Sequence, residues 1–351
     1  MAHDGVDYSC APVLAPILAF FLECTSLKLD MLRSRGNSKL MKGTPNNPAE
    51  NVLPSGITDA LLSNAVISSG YPLQTLVAKK LSSDFAVAEE WGYIDRQNSE
   101  HRSLDVFASR DVHDTSHLRV QVALLIECKR TELPYVFFKK ALQQLPYDFP
   151  AVTGMKGKRL ELHRAGIGSR EVSVATFLKL KELEFIGSGP PVCSSLARAE
   201  RQGNQLNLSG EQPFKQIIFP LISALHHLFE FQKNMGTPSQ SPICPSLSIG
   251  LLDAPMLIAE GDPESPLLSL CPWVRVVRQE AMQETRFMTI QHYVVDFVHR
   301  HFLPVFIQNH VLPFAHQFAR RAADHETVLR DGRALVPDWE NWALGDLKKV
   351  P

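Results

Sequence analysis

The sequence predicts an α/β fold: a mixed β-sheet core flanked by helices, with an insertion and a helical C-terminal region. Three observations point there. Apolar runs of strand length, rich in Val, Leu and Ile, recur in both halves of the chain, at 120–129, 247–259 and 290–298. Segments with helical spacing of apolar residues stand before and between them, at 57–68 and 214–232, and after them at 302–322. The 351 residues are 44% hydrophobic and 21% charged, an ordinary globular composition with ample material for a core.

Charge and cysteine usage narrow the class. A net charge of −1 argues against a protein that coats nucleic acid by electrostatics alone, although lysines and arginines can still gather in one cleft. Six cysteines, at 10, 24, 128, 193, 244 and 271, lack CxxC spacing, which excludes a zinc ribbon and a disulfide framework and fits a reducing compartment. The apolar stretch 11–22 is interrupted by Pro12 and Pro16 and is shorter than the roughly 20 residues a membrane span needs. A soluble cytoplasmic protein with no membrane partner is the expectation.

Taken in order, residues 1–50 read as an appendage, with a helix near 20–35 and a polar Gly/Pro/Asn linker over 36–51. The main domain is expected over 51–335, with its core motif at 57–145, an insertion at 151–213, a sheet and helix extension at 214–335 and a tail at 336–351. Thr58 is placed to cap the first helix. Gly70 and Tyr71 break that helix, and Pro72 opens a second one in the position proline tolerates best. Residues 85–94 alternate as a strand, followed by strands at 102–108 and 120–129. A helix is expected at 133–145, ended by Pro146.

Farther on, 153–170 is locally basic, with Lys156, Lys158, Arg159, Arg164 and Arg170 among glycines. That mixture suits a loop gripping a phosphate backbone, and equally a solvated hairpin. Residues 187–213 read as loose. A helix over 214–232 should kink at Pro220, and 247–259 reads as one buried strand or a pair joined at 253–255. Residues 273–278 alternate, so Arg275 and Arg278 should leave opposite faces. Pro304 and Pro313 limit the regularity of the terminal helix. His226, His227, His299 and His301 have no cysteine or acidic partner at zinc-finger spacing and read as solvated or core-edge residues.

The chemistry gathers on one stretch. The apolar run from Val120 ends abruptly in Glu127-Cys128-Lys129. Alternation along a strand points Glu127 and Lys129 the same way and Cys128 into the opposite layer. Upstream, Asp105 is the one acid in the short apolar run 103–108, 22 positions before Glu127, a gap that leaves room for two neighbouring strands. Two carboxylates and a lysine at a strand end suit a hard divalent cation and a phosphate ester.

The order Asp, about twenty residues, then Glu-x-Lys resembles the PD-(D/E)XK nuclease superfamily, with its restriction-endonuclease-like fold. The resemblance covers roughly 57–145: 69–74 and the helix after it resemble the helix before that family's first strand, and 89–95 resembles the strand itself. It implies a Mg²⁺-dependent endodeoxyribonuclease, with Mn²⁺ as a substitute, acting on DNA in restriction, phage defence or repair. Asp105, Glu127 and the backbone carbonyl of Cys128 would hold the metal. Lys129, with its pKa lowered by partial burial, would orient or deprotonate the attacking water. Leu104 replaces the family's proline, and Gln74 stands where many relatives have a helical glutamate. Gln74 and Glu90 are the candidate auxiliary residues, and Lys156, Lys158, Arg159 and Arg164 the candidate nucleic-acid contacts. A homodimer would suit cutting of both strands. The alternative is a non-catalytic nucleic-acid-binding or scaffolding module on a degenerate nuclease fold.

Overall fold

The computed structural model describes residues 43–336, apart from 97, 116, 156–158, 235–240 and 285–286. The chain falls into two units, Met1–Ile67 and Ser68–Pro351. The helix expected near 20–35 and the tail 337–351 lie outside the described residues. In the first unit, turns lead into α1 (Asp59–Ser68), none of whose residues is buried. Thr58 caps it as expected, its Oγ1 accepting from Leu61 N at 3.2 Å.

The second unit begins with α2 (Tyr71–Leu81), with Pro72 in its first turn. A meander follows: β1 (Ala86–Ile94), β2 (His101–Asp114) and β3 (Arg119–Arg130), antiparallel throughout. Leu73, Val77, Ala78 and Leu81 of α2 are buried in one cluster with Val106, Ala108, Leu124 and Ile126 of the meander. Apolar residues at i, i+4, i+5 and i+8 form the stripe that seats this helix on the sheet.

Beyond β3 come β4 (Tyr135–Lys139), β5 (Ala151–Thr153), β6 (Arg159–Arg164), β7 (Gly168–Ser173), β8 (Val192–Gln202) and β9 (Gln205–Ser209). A π-helical turn, Phe214–Ile218, runs into α3 (Phe219–Asn234). Pro220 falls in the first turn of α3, so the expected kink is a change of helix type just before it. Strands β10 (Cys244–Asp253), β11 (Met256–Asp262), β12 (Ser265–Leu270), β13 (Trp273–Glu284) and β14 (Phe287–His299) complete the large sheet. The C-terminal region is helical: Leu303–Phe306, a π-turn at Ile307–Val311, α4 (Leu312–Asp324) and α5 (Glu326–Asp331), closed by β15 (Arg333–Leu335). Pro304 and Pro313 each lie near the start of a helical segment.

The large sheet has twelve strands in the order β1-β2-β3-β10-β14-β13-β8-β4-β11-β12, with β5 beside β10 and β9 beside β8; β15-β6-β7 form a separate sheet. Strand β10 runs parallel to both β3 and β14, and every residue but the last is buried, the pattern of a strand covered on both faces. Leu221, Ile222, Leu225 and Leu228 of α3 pack on one face, while α2 and α4 contribute to the cluster on the other.

Two expectations need correction. The helix placed at 133–145 is strand β4, because Tyr135, Val136 and Phe137 are buried between β11 and β8, where aromatic and β-branched side chains fit a pleated surface. Residues 187–213, read as loose, supply β8 and β9, and β8 lies inside the large sheet. Of the two readings of 247–259, one strand or a joined pair, the structure has the pair, as β10 and β11.

Strands β3 and β10 each break briefly and continue as β4 and β11, which also pair in parallel, so the parallel pair turns a corner together. Thr131 N to Asp253 O at 3.2 Å and Tyr135 N to Pro255 O at 2.9 Å tie that corner. Strands β13 and β8 meet through just two residue pairs, Arg275↔Val192 and Val276↔Cys193. Arg275 is fully buried there. Its Nε donates to Asp296 Oδ1 at 2.8 Å, and its guanidinium carbon stands 4.3 Å from the Phe185 ring centroid. Arg278, leaving the other face as expected, lies over Phe214 at 4.6 Å.

Candidate active site

The site forms where the meander loosens. Between β1 and β2 the register passes from Glu89↔Val106 to Trp91↔Leu104, skipping the pair Glu90 and Asp105. Glu90 sits at φ 50°, left-handed backbone that L residues other than Asn and Asp seldom adopt. The β2–β3 register runs no farther than Val106↔Ile126 in this direction. Just past it, the Asp105 carboxylate takes over from the backbone, its Oδ2 accepting from Cys128 N at 2.6 Å. Such local irregularity recurs at functional sites, where surrounding structure holds a side chain in place.

Asp105, Glu127 and Lys129 come together at this opening. Lys129 Nζ stands 2.5 Å from Glu127 Oε1 and 3.9 Å from Asp105 Oδ2. The Glu127 side chain is only 9% exposed, and its buried Oε2 has no hydrogen-bond partner. Burial, with Asp105 adding to it against the pull of Lys129, pushes the Glu127 carboxyl up to about 7. Burial also raises Asp105, opposed by Lys129 and by the Cys128 N–H. Lys129 departs from the sequence expectation of a lowered pKa: burial pulls it down, but Glu127 and Asp105 outweigh burial and raise it. The ammonium is therefore charged at neutral pH.

Gln74 and Glu90 join the same cluster. Gln74, 4% exposed on α2, donates from Nε2 to Glu90 Oε1 at 2.9 Å, and Ser103 Oγ donates to Glu90 Oε2 at 2.5 Å. Glu90 also acts on Asp105 by raising its pKa. A carboxylate thus stands on β1 next to the helical position that carries an amide. Gly70, at the start of α2, lies against the strand end as well, since a Cβ there would come 3.7 Å from the Cys128 carbonyl oxygen.

The donor set suits a hard cation. Asp105, Glu127 and the Cys128 carbonyl offer oxygen, the ligand type Mg²⁺ requires, and the orphaned Glu127 Oε2 is an atom a cation would satisfy. Among the described residues no group of three or more His, Cys, Asp or Glu is gathered for a metal, and the set here has two such side chains with one backbone oxygen.

The predicted nucleic-acid contacts are not all visible. Lys156 and Lys158 lie outside the described residues. Arg159 opens β6, 3.7 Å from Asp148, and Arg164 closes it. Their hairpin belongs to the three-stranded sheet, whereas the Asp105, Glu127 and Lys129 cluster is on the large one.

Sequence reasoning missed a second charged cluster, at the corner beyond the site. Asp253 Oδ2 is shared by Arg130 Nε at 3.3 Å and Arg300 Nη1 at 2.9 Å. Arg300 Nε also donates to His301 Nε2 at 3.1 Å, and the His299 and His301 rings stand 5.4 Å apart. These residues come from three strand ends distant in sequence. The only signal available to sequence reading was the charge pattern at 299–301 immediately after an apolar strand. Compared with known proteins, the chain matches no family model, no curated protein and no solved structure.

Proposed function

We propose that this chain is a metal-dependent nuclease of the PD-(D/E)XK type, hydrolysing phosphodiester bonds, with DNA as the favoured substrate. The observation that carries the reading is the convergence of Asp105, Glu127 and Lys129 across two adjacent strands, with Lys129 Nζ 2.5 Å from one carboxylate and 3.9 Å from the other. The residues that would hold Mg²⁺ are Asp105, Glu127 and the Cys128 carbonyl. When bound, the ion supplies a polarised phosphoryl oxygen and a water acidic enough to attack at neutral pH.

The chain's own groups do the rest. Asp105 is positioned by the Cys128 N–H. Lys129, held protonated by its two acidic neighbours, places a point charge where negative charge develops on the phosphate and donates a hydrogen bond to the water or phosphate oxygen. Glu90, fixed by Gln74 and Ser103, supplies the negative charge that the amide of Gln74 does not.

The test is cleavage of supercoiled and linear plasmid in Mg²⁺, Mn²⁺ or EDTA. Asp105→Asn, Glu127→Gln and Lys129→Ala are each expected to lower cutting at least about a hundredfold while retaining the wild-type circular dichroism spectrum. Full activity in any one purified variant would remove that residue from the mechanism. Gln74 at the helical position favours one second reading, a nucleic-acid-binding module without chemistry. In that case metal-independent, salt-sensitive binding would appear with no cutting by the wild type.

A further inference from the structure

We propose that the corner where β3, β10 and β14 end holds the phosphate backbone of the nucleic acid, with Arg130 and Arg300 as contact residues. The identification of the polyanion as nucleic acid rests on the nuclease reading above; the cationic surface itself does not.

The register places this corner beside the candidate active site. Lys129 pairs with Leu252 and Leu252 with His299, while Arg130 pairs with Asp253. Neighbouring strands lie about 4.8 Å apart, so the backbones of Lys129 and His299 stand roughly 10 Å from each other across β10. Arg300 N donates to Leu252 O at 2.9 Å, which fixes the chain after β14 to the end of β10. Arg130 follows Lys129 directly on β3 and leaves by the opposite face, so a polyanion reaching both would pass around the ends of these strands.

The chemistry of the corner is that of an anion site. Two guanidiniums share the single carboxylate of Asp253, which is 17% exposed, while Arg130 and Arg300 keep 35% and 32% of their side-chain surface. Each guanidinium has five N–H donors in a planar fork suited to phosphate oxygens. Asp253 and His301 engage only part of that set. Lys80 of α2 adds charge nearby: burial, then Arg300 and His299, and finally Lys80 disfavour protonation of His301 and outweigh the opposing pull of Asp253. The imidazole accepts from Arg300 and so carries no charge of its own in that hydrogen bond. The arginines are the cations that matter.

The experiment is fluorescence anisotropy of a labelled 20-base-pair DNA duplex with the full chain in EDTA, where cutting is suppressed, across a salt series. Wild type is expected to bind with log K falling linearly against log salt. Arg130→Gln together with Arg300→Gln, which keeps a hydrogen-bond donor for Asp253, should weaken binding at least about tenfold and flatten the slope by about two contacts. Asp253→Asn frees both guanidiniums and should tighten binding several-fold, a result that a purely structural role for the arginines does not produce.

Unchanged affinity and slope in the double variant overturn the proposal, as does absence of binding by wild type. Binding that follows the arginines, with no Mg²⁺-dependent cutting by wild type, would support the corner and remove the nuclease reading. Cutting by wild type with binding indifferent to both arginines would do the reverse. Thermal melts of the variants, matched to wild type, separate lost contacts from lost fold.

Discussion

Glu127 ties stability to pH. Its folded pKa, near 7, lies above the ordinary carboxylate value because burial disfavours the charged form. The folded state therefore binds a proton more tightly than the unfolded chain. Stability from this residue is fully present below the unfolded value, near 4.5, and is lost as pH rises through about 7. In EDTA the thermal midpoint of wild type is expected to fall between pH 5 and pH 8, and Glu127→Gln should flatten that fall. Mg²⁺ should restore the wild-type midpoint at pH 8 and leave the variant unmoved, because a ligand stabilises only the state that binds it. A variant that melts with the wild-type pH profile would show that the carboxylate is not held in an unfavourable charged state.

Among elements, β10 positions the site most directly, since it runs beside β3 with Gly250 paired to Glu127. A Cβ at Gly250 would come within 2.7 Å of Phe297 Cε1 on β14 and 3.0 Å of Ile217 Cγ2 on the π-turn before α3. Gly250→Ala should then cost about 1–3 kcal/mol, measured as a lowered denaturant midpoint at unchanged slope. If it melts like wild type, the packing around β10 is looser than these distances imply. Strands β3, β10 and β14 were legible because strands buried on both faces read as apolar runs, and β1 and β2 from their alternation. Strand β8 was not, because its Ala, Arg and Glu residues also suit a helix and only pairing with β4, β9 and β13 decides for strand. Asp105, Glu127 and Lys129 were legible from their order. The left-handed φ of Glu90 leaves no mark in composition, and Asp253 meets Arg130 and Arg300 only after three strands are laid side by side.

For the second unit as a whole, the large sheet is two groups of strands. One, β1-β2-β3-β10-β14-β13 with β5, carries the candidate site, and the other is β8-β4-β11-β12 with β9. The outermost strand, β12, exposes every residue, Leu267, Leu268 and Leu270 among them, so the second group ends in an edge with little burial behind it. The two residue pairs between β13 and β8 make a crease. A crease in a sheet sets the order in which it comes apart. Native-state hydrogen exchange should find the amides of β4, β8, β11 and β12 opening together at lower free energy than those of β3, β10 and β14. One shared opening energy for both groups would mean that the buried Arg275 and Asp296 pair, with the corner ties, makes the crease as stiff as a full ladder. With separate energies, the molecule can lose the far strands and keep the near ones, so a protease would release the β12 edge while Asp105, Glu127 and Lys129 stayed in place.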